Sequence, residues 1–233
     1  MELKTKISII IPVYKQWHLV NKRLWEIYQY CYEYENLEIV ILDDCSDDPL
    51  VTKGMNFWVR NGTFSKIVDY VAYENVGFGQ TCNKGVELSD GDIIIIHSTD
   101  VPVTGDYLKG IIEKINENPR RLVGSRLLSY DTGWNTFDGK IYPYLEGWLL
   151  ACKREIWDEL GGFDPRYGKF DYEDVDLSTT ALSKGIELVP LNSPFVSHMS
   201  GMTISVLVGI DKRREITERN REEFRKKWVT KNE

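Results

Sequence analysis

Three acidic groups carry most of the chain's capacity for chemistry: Asp43-Asp44, Asp100 and Glu173-Asp174. Asp100 closes the stretch Gly-Asp-Ile-Ile-Ile-Ile-His-Ser-Thr-Asp-Val, residues 91–101, where an apolar run stops abruptly at His97-Ser98-Thr99. An aspartate there, beside His97 or Ser98, could hold a divalent cation through oxygen or nitrogen. Asp43-Asp44 ends another apolar run, and a carboxylate so placed can accept hydrogen bonds from ribose hydroxyls or a base N–H. Glu173-Asp174 follows Phe170-Asp171-Tyr172. A carboxylate held among aromatics has a raised pKa and suits the work of a general base. Each group also has a plainer reading. Asp43-Asp44 and Asp100 could cap turns, Glu173-Asp174 could answer a helix dipole, and His198, one of three histidines, could be a satisfied structural residue.

The positions of these groups follow from the elements around them. Apolar runs at Ile7–Val13, Leu37–Leu42, Lys66–Tyr73, Ile93–Ile96 and Leu122–Leu128 predict strands, with Glu38 the one interruption in the second. Helical spacing predicts helices over Trp17–Tyr32, from Asp47 to about Val59, Gly79–Leu88 and Thr104–Asn116. This β-α alternation predicts a mostly parallel sheet covered by helices, with Asp100 at the carboxyl end of a central strand, where open α/β sheets place ligands. Residues 129–146 dissolve into Gly, Asp, Tyr and Pro and read as a long loop. Beyond it the pattern predicts a strand at Gly147–Cys152, helices over Arg154–Leu160 and Val175–Lys184, short strands at Glu187–Leu191 and Phe195–His198, and a closing helix over Lys212–Trp228.

The totals bound the class. At 233 residues, 42% hydrophobic and 28% charged, the chain suits one large α/β domain, expected over residues 1–205, with a basic helix appended over 206–233. A net charge of −7 argues against general nucleic-acid binding. From Asp211 to Glu233, however, nine Lys/Arg stand against six Asp/Glu, so that helix could touch an anionic ligand, a membrane surface or a second copy of the chain. No apolar run approaches the ~20 residues that span a bilayer. Four cysteines without paired spacing predict reduced thiols and a cytoplasmic setting, with peripheral contact at the inner membrane face as an option.

The ordered set Ile9-Ile10-Ile11-Pro12-Val13-Tyr14, Asp43-Asp44, Asn75-Val76-Gly77, Asn83-Lys84-Gly85, Gly91-Asp92 and Asp100 resembles family 2 glycosyltransferases with the GT-A fold. Gly147, Gly161-Gly162-Phe163-Asp164, Glu173-Asp174-Val175-Asp176-Leu177, His198, Asn220 and Lys227-Trp228 extend the resemblance over nearly the whole chain. It implies a Rossmann-like, mostly parallel sheet and transfer of a sugar, with inversion, from a nucleotide-sugar donor, UDP-linked first among the options, to a hydroxyl on a glycan, lipid-linked or protein acceptor. Pro12 and Tyr14 would line the nucleotide pocket, with Asp44 or Asp43 on uracil or ribose and Asn83 on the diphosphate side. Asn75, Gly77, Ser98 and Thr99 would complete the donor site. Trp148 would offer a face to a sugar, as would Trp134, Tyr142 and Tyr144. Asp100 and His198 would hold a divalent metal, Mn²⁺ rather than Mg²⁺, and Asp174, or else Glu173, would take the acceptor's proton.

One departure stands out. Where the family has Asp-X-Asp, this chain reads Ser98-Thr99-Asp100, and a serine supplies no charge to a metal. The alternative that follows is a catalytically weak or inactive protein of the same fold that binds a nucleotide sugar or a partner. A damaged dinucleotide fingerprint, Gly77-Phe78-Gly79-Gln80-Thr81-Cys82, offers a nicotinamide enzyme instead, but its third glycine is Cys82 and it follows the third strand rather than the first. A sugar-nucleotide pyrophosphorylase would want a Gly-rich basic loop after the first strand, where this chain has Pro12-Val13-Tyr14-Lys15-Gln16.

Overall fold

Strands β1 (Ile7–Val13) and β4 (Ile93–His97) lie side by side in the middle of a seven-stranded sheet. The structure is a computed structural model that describes residues 5–61, 64, 66–198 and 209–230. From β1 the sheet continues in parallel through β2 (Leu37–Asp43) to β3 (Lys66–Val71). On the other side β4 pairs antiparallel with β10 (Leu149–Lys153), which pairs antiparallel with β5 (Arg121–Gly124); β11 (Glu187–Pro190) closes that edge parallel to β5. In sequence, four two-residue strands, β6 (Leu127–Leu128), β7 (Thr136–Phe137), β8 (Lys140–Ile141) and β9 (Tyr144–Leu145), fall between β5 and β10 and form two small sheets of their own.

Helices cover both faces, as the apolar runs require. Alternate residues of β1 face opposite sides: Ile9, Ile11 and Val13 join one core cluster and Ile10 the other. The first cluster is covered by α1 (Trp17–Cys31), α2 (Pro49–Asn61) and α4 (Leu108–Glu117), through Val20, Leu24, Met55, Trp58 and Ile111. The second is covered by α3 (Phe78–Leu88), α5 (Arg154–Leu160) and α6 (Glu173–Ser183), through Cys82, Val86, Trp157 and Leu177. All four isoleucines of β4 are buried, each contributing about 1.5–3 kcal/mol by removal from water. Glu38, the polar interruption in β2, is buried but paired: its carboxylate meets Lys66 at 2.7 Å and accepts the Ser8 hydroxyl and the Asp90 N–H.

The second half departs from expectation in detail. Residues 129–146 are not a structureless loop; β6 (Leu127–Leu128) pairs with β9 (Tyr144–Leu145), and β7 (Thr136–Phe137) with β8 (Lys140–Ile141). Fully buried Asn135 ties them together, its amide donating to the carbonyls of Leu128, Tyr130 and Tyr142. Phe137 and Tyr142 pack with Tyr167, Tyr172 and Phe224 into a third cluster. The strand expected at Leu122–Leu128 breaks after Gly124, and that expected at Phe195–His198 reduces to one bridge, Val196 to Val103. The last helix, α7, spans Ile210–Phe224 and continues as a π-helical turn over Arg225–Val229. All four cysteines are free, as expected.

Candidate active site

Strand order reverses at β1, with β2 and β3 on one side and β4 on the other. Open α/β sheets bind ligands outside the carboxyl ends of their strands at such a reversal. Beyond Val13 and His97 the sheet opens into a cleft of 870 Å³. Pro12, Tyr14, Asp44, Asn75, Gly77, Ser98, Thr99, Asp100, Trp148, Glu173, Asp174 and His198 all line it, so most of the expected site residues share one cavity. Asp43 and Asn83 are not in its lining. Asp43 turns to Ser46, accepting from its N–H at 2.9 Å and from its hydroxyl. Asn83 clamps the loop before α6, donating to Phe163 O and accepting from Phe163 N–H.

At the β1–β2 end, the Asp44 carboxylate accepts the N–H of Val76 (2.7 Å) and of Gly77 (2.8 Å) and the Asn75 amide (2.9 Å). Burial raises its pKa more than these bonds lower it. Asp44 therefore shapes the turn into α3 as well as the cleft wall. Gly77 has φ +92 and lies so close to Lys169 that an added Cβ would come to 2.2 Å of the Lys169 Cα, which leaves no room for a side chain.

The loop after β4 is held from below. His97 is fully buried, its Nδ1 at 2.9 Å from Tyr107 Oη and its Nε2 at 3.0 Å from Val101 O. Burial pushes its pKa down to about 4. Both ring nitrogens are engaged, which excludes His97 from the ligand role the sequence had left open. Glu26 of α1, paired with buried Arg23, accepts the Val103 N–H at 2.9 Å. Asp100 thus sits on a fixed loop. Ser98 Oγ donates to its Oδ1 at 2.7 Å, and His198 Nε2 stands 3.4 Å from its Oδ2. Burial opposes the Asp100 charge, but His198 and Ser98 outweigh it and hold the carboxyl below its usual range. The His198 ring stacks on Trp148, with centroids 4.9 Å apart and planes 16° from parallel.

Across the cleft, Glu173 and Asp174 open α6. Asp174 Oδ2 accepts the Gly147 N–H at 3.0 Å and Oδ1 the Val175 N–H at 2.8 Å. Burial nevertheless pushes its pKa up to about 7. Glu173 is raised well above the ordinary range, by burial first and then by the Asp174 charge. Its Oε2 is buried without a hydrogen-bond partner among the described residues. The aromatic setting read from Phe170 and Tyr172 is real: both are buried.

What aims this pair is α7, whose role the sequence did not reveal. Asp171 and Tyr172 both adopt left-handed backbone (φ 66 and 78), unusual for residues with side chains. Thr217 donates to Asp171 at 2.7 Å, Arg213 lies 3.4 Å from it, and buried Asn220 donates to the carbonyls of Tyr167, Phe170 and Asp171. Asp176, buried one turn into α6, accepts Lys227 Nζ (2.8 Å), Trp228 Nε1 (2.6 Å) and the Tyr167 hydroxyl (3.0 Å). Lys212, Arg213 and Arg219 bring α7 into the cleft lining, together with Lys169. Of the aromatics considered for sugar stacking, Tyr144 and Trp148 line the cleft, whereas Trp134 packs on Tyr172 and Tyr142 on Phe224.

For a metal, Asp100 and His198 provide one oxygen and one nitrogen donor. Among the described residues no set of three or more His, Cys, Asp or Glu side chains converges. This donor pair fits a cation that completes its shell with water and ligand oxygens, and its mixed character favours Mn²⁺ over Mg²⁺. No helix among the described residues is long and apolar enough to cross a membrane.

Comparison with known proteins agrees with this geometry. The family model described as glycosyl transferase family 2 matches residues 8–167. Among curated proteins, the chain is 23% identical over 158 residues to a glucosyl-dolichyl phosphate glucuronosyltransferase of Haloferax volcanii, covering 58% of this chain and 49% of that protein. It is 26% identical over 144 residues to the glycosyltransferase GlyG of Streptococcus pneumoniae, covering 60% and 44%. The chain thus spans about half the length of the curated relatives it matches. Among solved structures, a mannosyltransferase from Pyrobaculum calidifontis, in complex with GDP-Man and Mn²⁺, superimposes with a TM-score of 0.66 at 20% identity over 81% of this chain and 55% of that one.

Proposed function

The chain belongs to glycosyl transferase family 2 and carries its GT-A fold, and from that premise we propose that it transfers a sugar from a nucleotide-diphosphate sugar to an acceptor hydroxyl with inversion at the anomeric carbon. The observation that carries this reading is the shared cleft: Asp100 and His198 come from the β4 side and Glu173 and Asp174 from the α6 side, with the nucleotide-type residues Pro12, Tyr14 and Asp44 at one end.

Inversion needs the acceptor oxygen to attack the anomeric carbon from the face opposite the leaving diphosphate. Asp174 is the base for that step. Its two backbone N–H bonds orient the carboxylate, and a pKa near 7 lets it hold a proton without being a feeble acceptor of one. Attack forms the new glycosidic bond, breaks the sugar–phosphate bond, and leaves the acceptor's proton on Asp174 and the electron pair on the nucleoside diphosphate. Asp100 and His198 would hold a divalent cation, Mn²⁺ by their chemistry, and such an ion supplies Lewis-acid neutralisation of the departing diphosphate. Asp44, Asn75 and Tyr14 would bind the nucleoside, and Trp148, one face already against His198, would bound the sugar.

The test is product formation from a panel of UDP-, GDP- and dTDP-sugars with Mn²⁺, resolved by anomeric configuration. Retention of configuration overturns the inverting mechanism; absence of both transfer and donor hydrolysis across the panel favours the binding-protein alternative motivated by Ser98.

A further inference from the structure

A nucleoside diphosphate brings several negative charges into a cleft whose walls already hold Asp44, Asp100 and Asp174. The expected metal motif is one carboxylate short at Ser98, so opposite charge has to come from elsewhere. The structure supplies it on the far wall. Lys212 and Arg213 reach the cleft from the first turn of α7 and Lys169 from the loop before α6.

We propose, resting on the nucleotide-donor reading above, that Lys169, Lys212 and Arg213 form an oxyanion wall that grips the donor's diphosphate directly, in addition to any ion at Asp100 and His198. The backbone of Lys169 is locked: its carbonyl accepts the Phe78 N–H at 2.9 Å, and its Cα lies against Gly77. That contact puts Lys169 in the cleft lining next to the turn into α3, the end of that helix whose dipole favours an anion. Lys169 already acts on a negative group at this spot, lowering the pKa of Asp44 against the effect of burial. Among the described residues Lys212 pairs with Glu215 at 3.0 Å, a largely exposed pair, and such a pair yields readily to a multiply charged ligand. Arg213 lines the cleft beside Asp171, 3.4 Å from its carboxylate, and its charge also acts on Glu173. Arg219 is different: its guanidinium is committed to Tyr167 O and Asn220 Oδ1, so it braces the wall without belonging to it.

Calorimetric titration of the full chain in EDTA with uridine, UMP and UDP, and with the guanosine series, tests the wall. In wild type the diphosphate binds more tightly than the monophosphate, and the monophosphate more tightly than the nucleoside. Salt weakens the diphosphate most. The K169E/K212E variant loses about tenfold or more in diphosphate affinity while its nucleoside affinity, which also reports an intact fold, is kept; K169R/K212R restores the diphosphate affinity. Unchanged diphosphate affinity in K169E/K212E, or no preference for the diphosphate in wild type, overturns the wall and leaves the nucleotide reading standing. A wild type that binds no nucleotide even with Mn²⁺ overturns both. Should K169E/K212E lose nucleoside binding as well, K169Q/K212Q replaces it, with the same two outcomes.

Discussion

His198 Nε2 stands 3.4 Å from Asp100 Oδ2 while its ring lies flat on Trp148, so a residue from beyond β11 and a residue from the loop after the central strand are held together beside an indole. Two donors at this spacing make a cation site only if the imidazole stays where the indole holds it. Replacing Trp148 by Leu therefore weakens Mn²⁺ binding in the presence of UDP by about 10–100-fold, the usual cost of losing an outer-shell partner, and Asp100→Asn weakens it more. Mn²⁺ paramagnetic resonance titration reads both without reference to turnover. Equal affinity in wild type and Asp100→Asn would remove Asp100 from the metal role.

The pH dependence follows from Asp174. In the base role proposed above its carboxyl must be ionised to accept the acceptor's proton, and burial raises its pKa to about 7. Activity per unit of bound donor therefore falls as pH drops through about 7, well above the range of an ordinary carboxylate. Glu173 titrates as part of the same pair, so the rising limb reports both groups together. Asp174→Asn lowers kcat by about 10²–10⁴ with little change in donor KM. A rising limb centred near 4 would take Asp174 out of the base role.

Stability carries the same signature with the opposite benefit. A carboxyl whose folded-state pKa lies above its unfolded value favours the folded state when protonated, and that advantage is lost as pH rises from the unfolded value through the folded one. Glu173 and Asp174 are both raised. Glu173→Gln removes one ionisable member, so its melting temperature relative to wild type increases from pH 5 to pH 8. A difference that is flat with pH shows that Glu173 is not held neutral by its surroundings.

Asp176 holds α6 to the closing helix. It is buried and takes Lys227, Trp228 and the Tyr167 hydroxyl at once. Asp176→Ala leaves the Lys227 ammonium without one of its two carboxylate partners and costs about 3–5 kcal/mol in denaturant unfolding. Asn220→Ala takes a donor from the carbonyls of Phe170 and Asp171, while Tyr167 O keeps Arg219, and costs about 1–3 kcal/mol. Both variants lose turnover further than their stability alone predicts, because the 167–172 turn that aims Asp174 loosens.

The nucleotide half was legible because each strand there ends in a short polar cluster after a dense apolar run, and a parallel sheet sends those ends to one edge. Asp44 and Asp100 could therefore be read as strand-end groups from the pattern, and the resemblance added Pro12 and Tyr14 to them. Asn83 and His97 show the limit: their residue types suit a ligand, but each is consumed by a backbone partner that no spacing announces. Strands β6 to β9 are two residues each, too short for an alternating pattern to exist. The basic charge of α7 pointed in sequence to an anionic ligand, a membrane surface or a second copy alike, since what selects among its charges is the loop it docks upon. Asp176 was visible only as one more acid in a helix's first turn.

The two walls of the cleft consequently rest on unequal foundations. Asp100 hangs from a strand laddered on both sides, deep in the sheet, whereas the turn before Asp174 keeps its left-handed shape through side chains of a terminal helix. Gentle warming or low denaturant should let that helix peel before the sheet notices. On the proposed function, a half-melted molecule of this design would go on holding a nucleotide long after it had stopped using it.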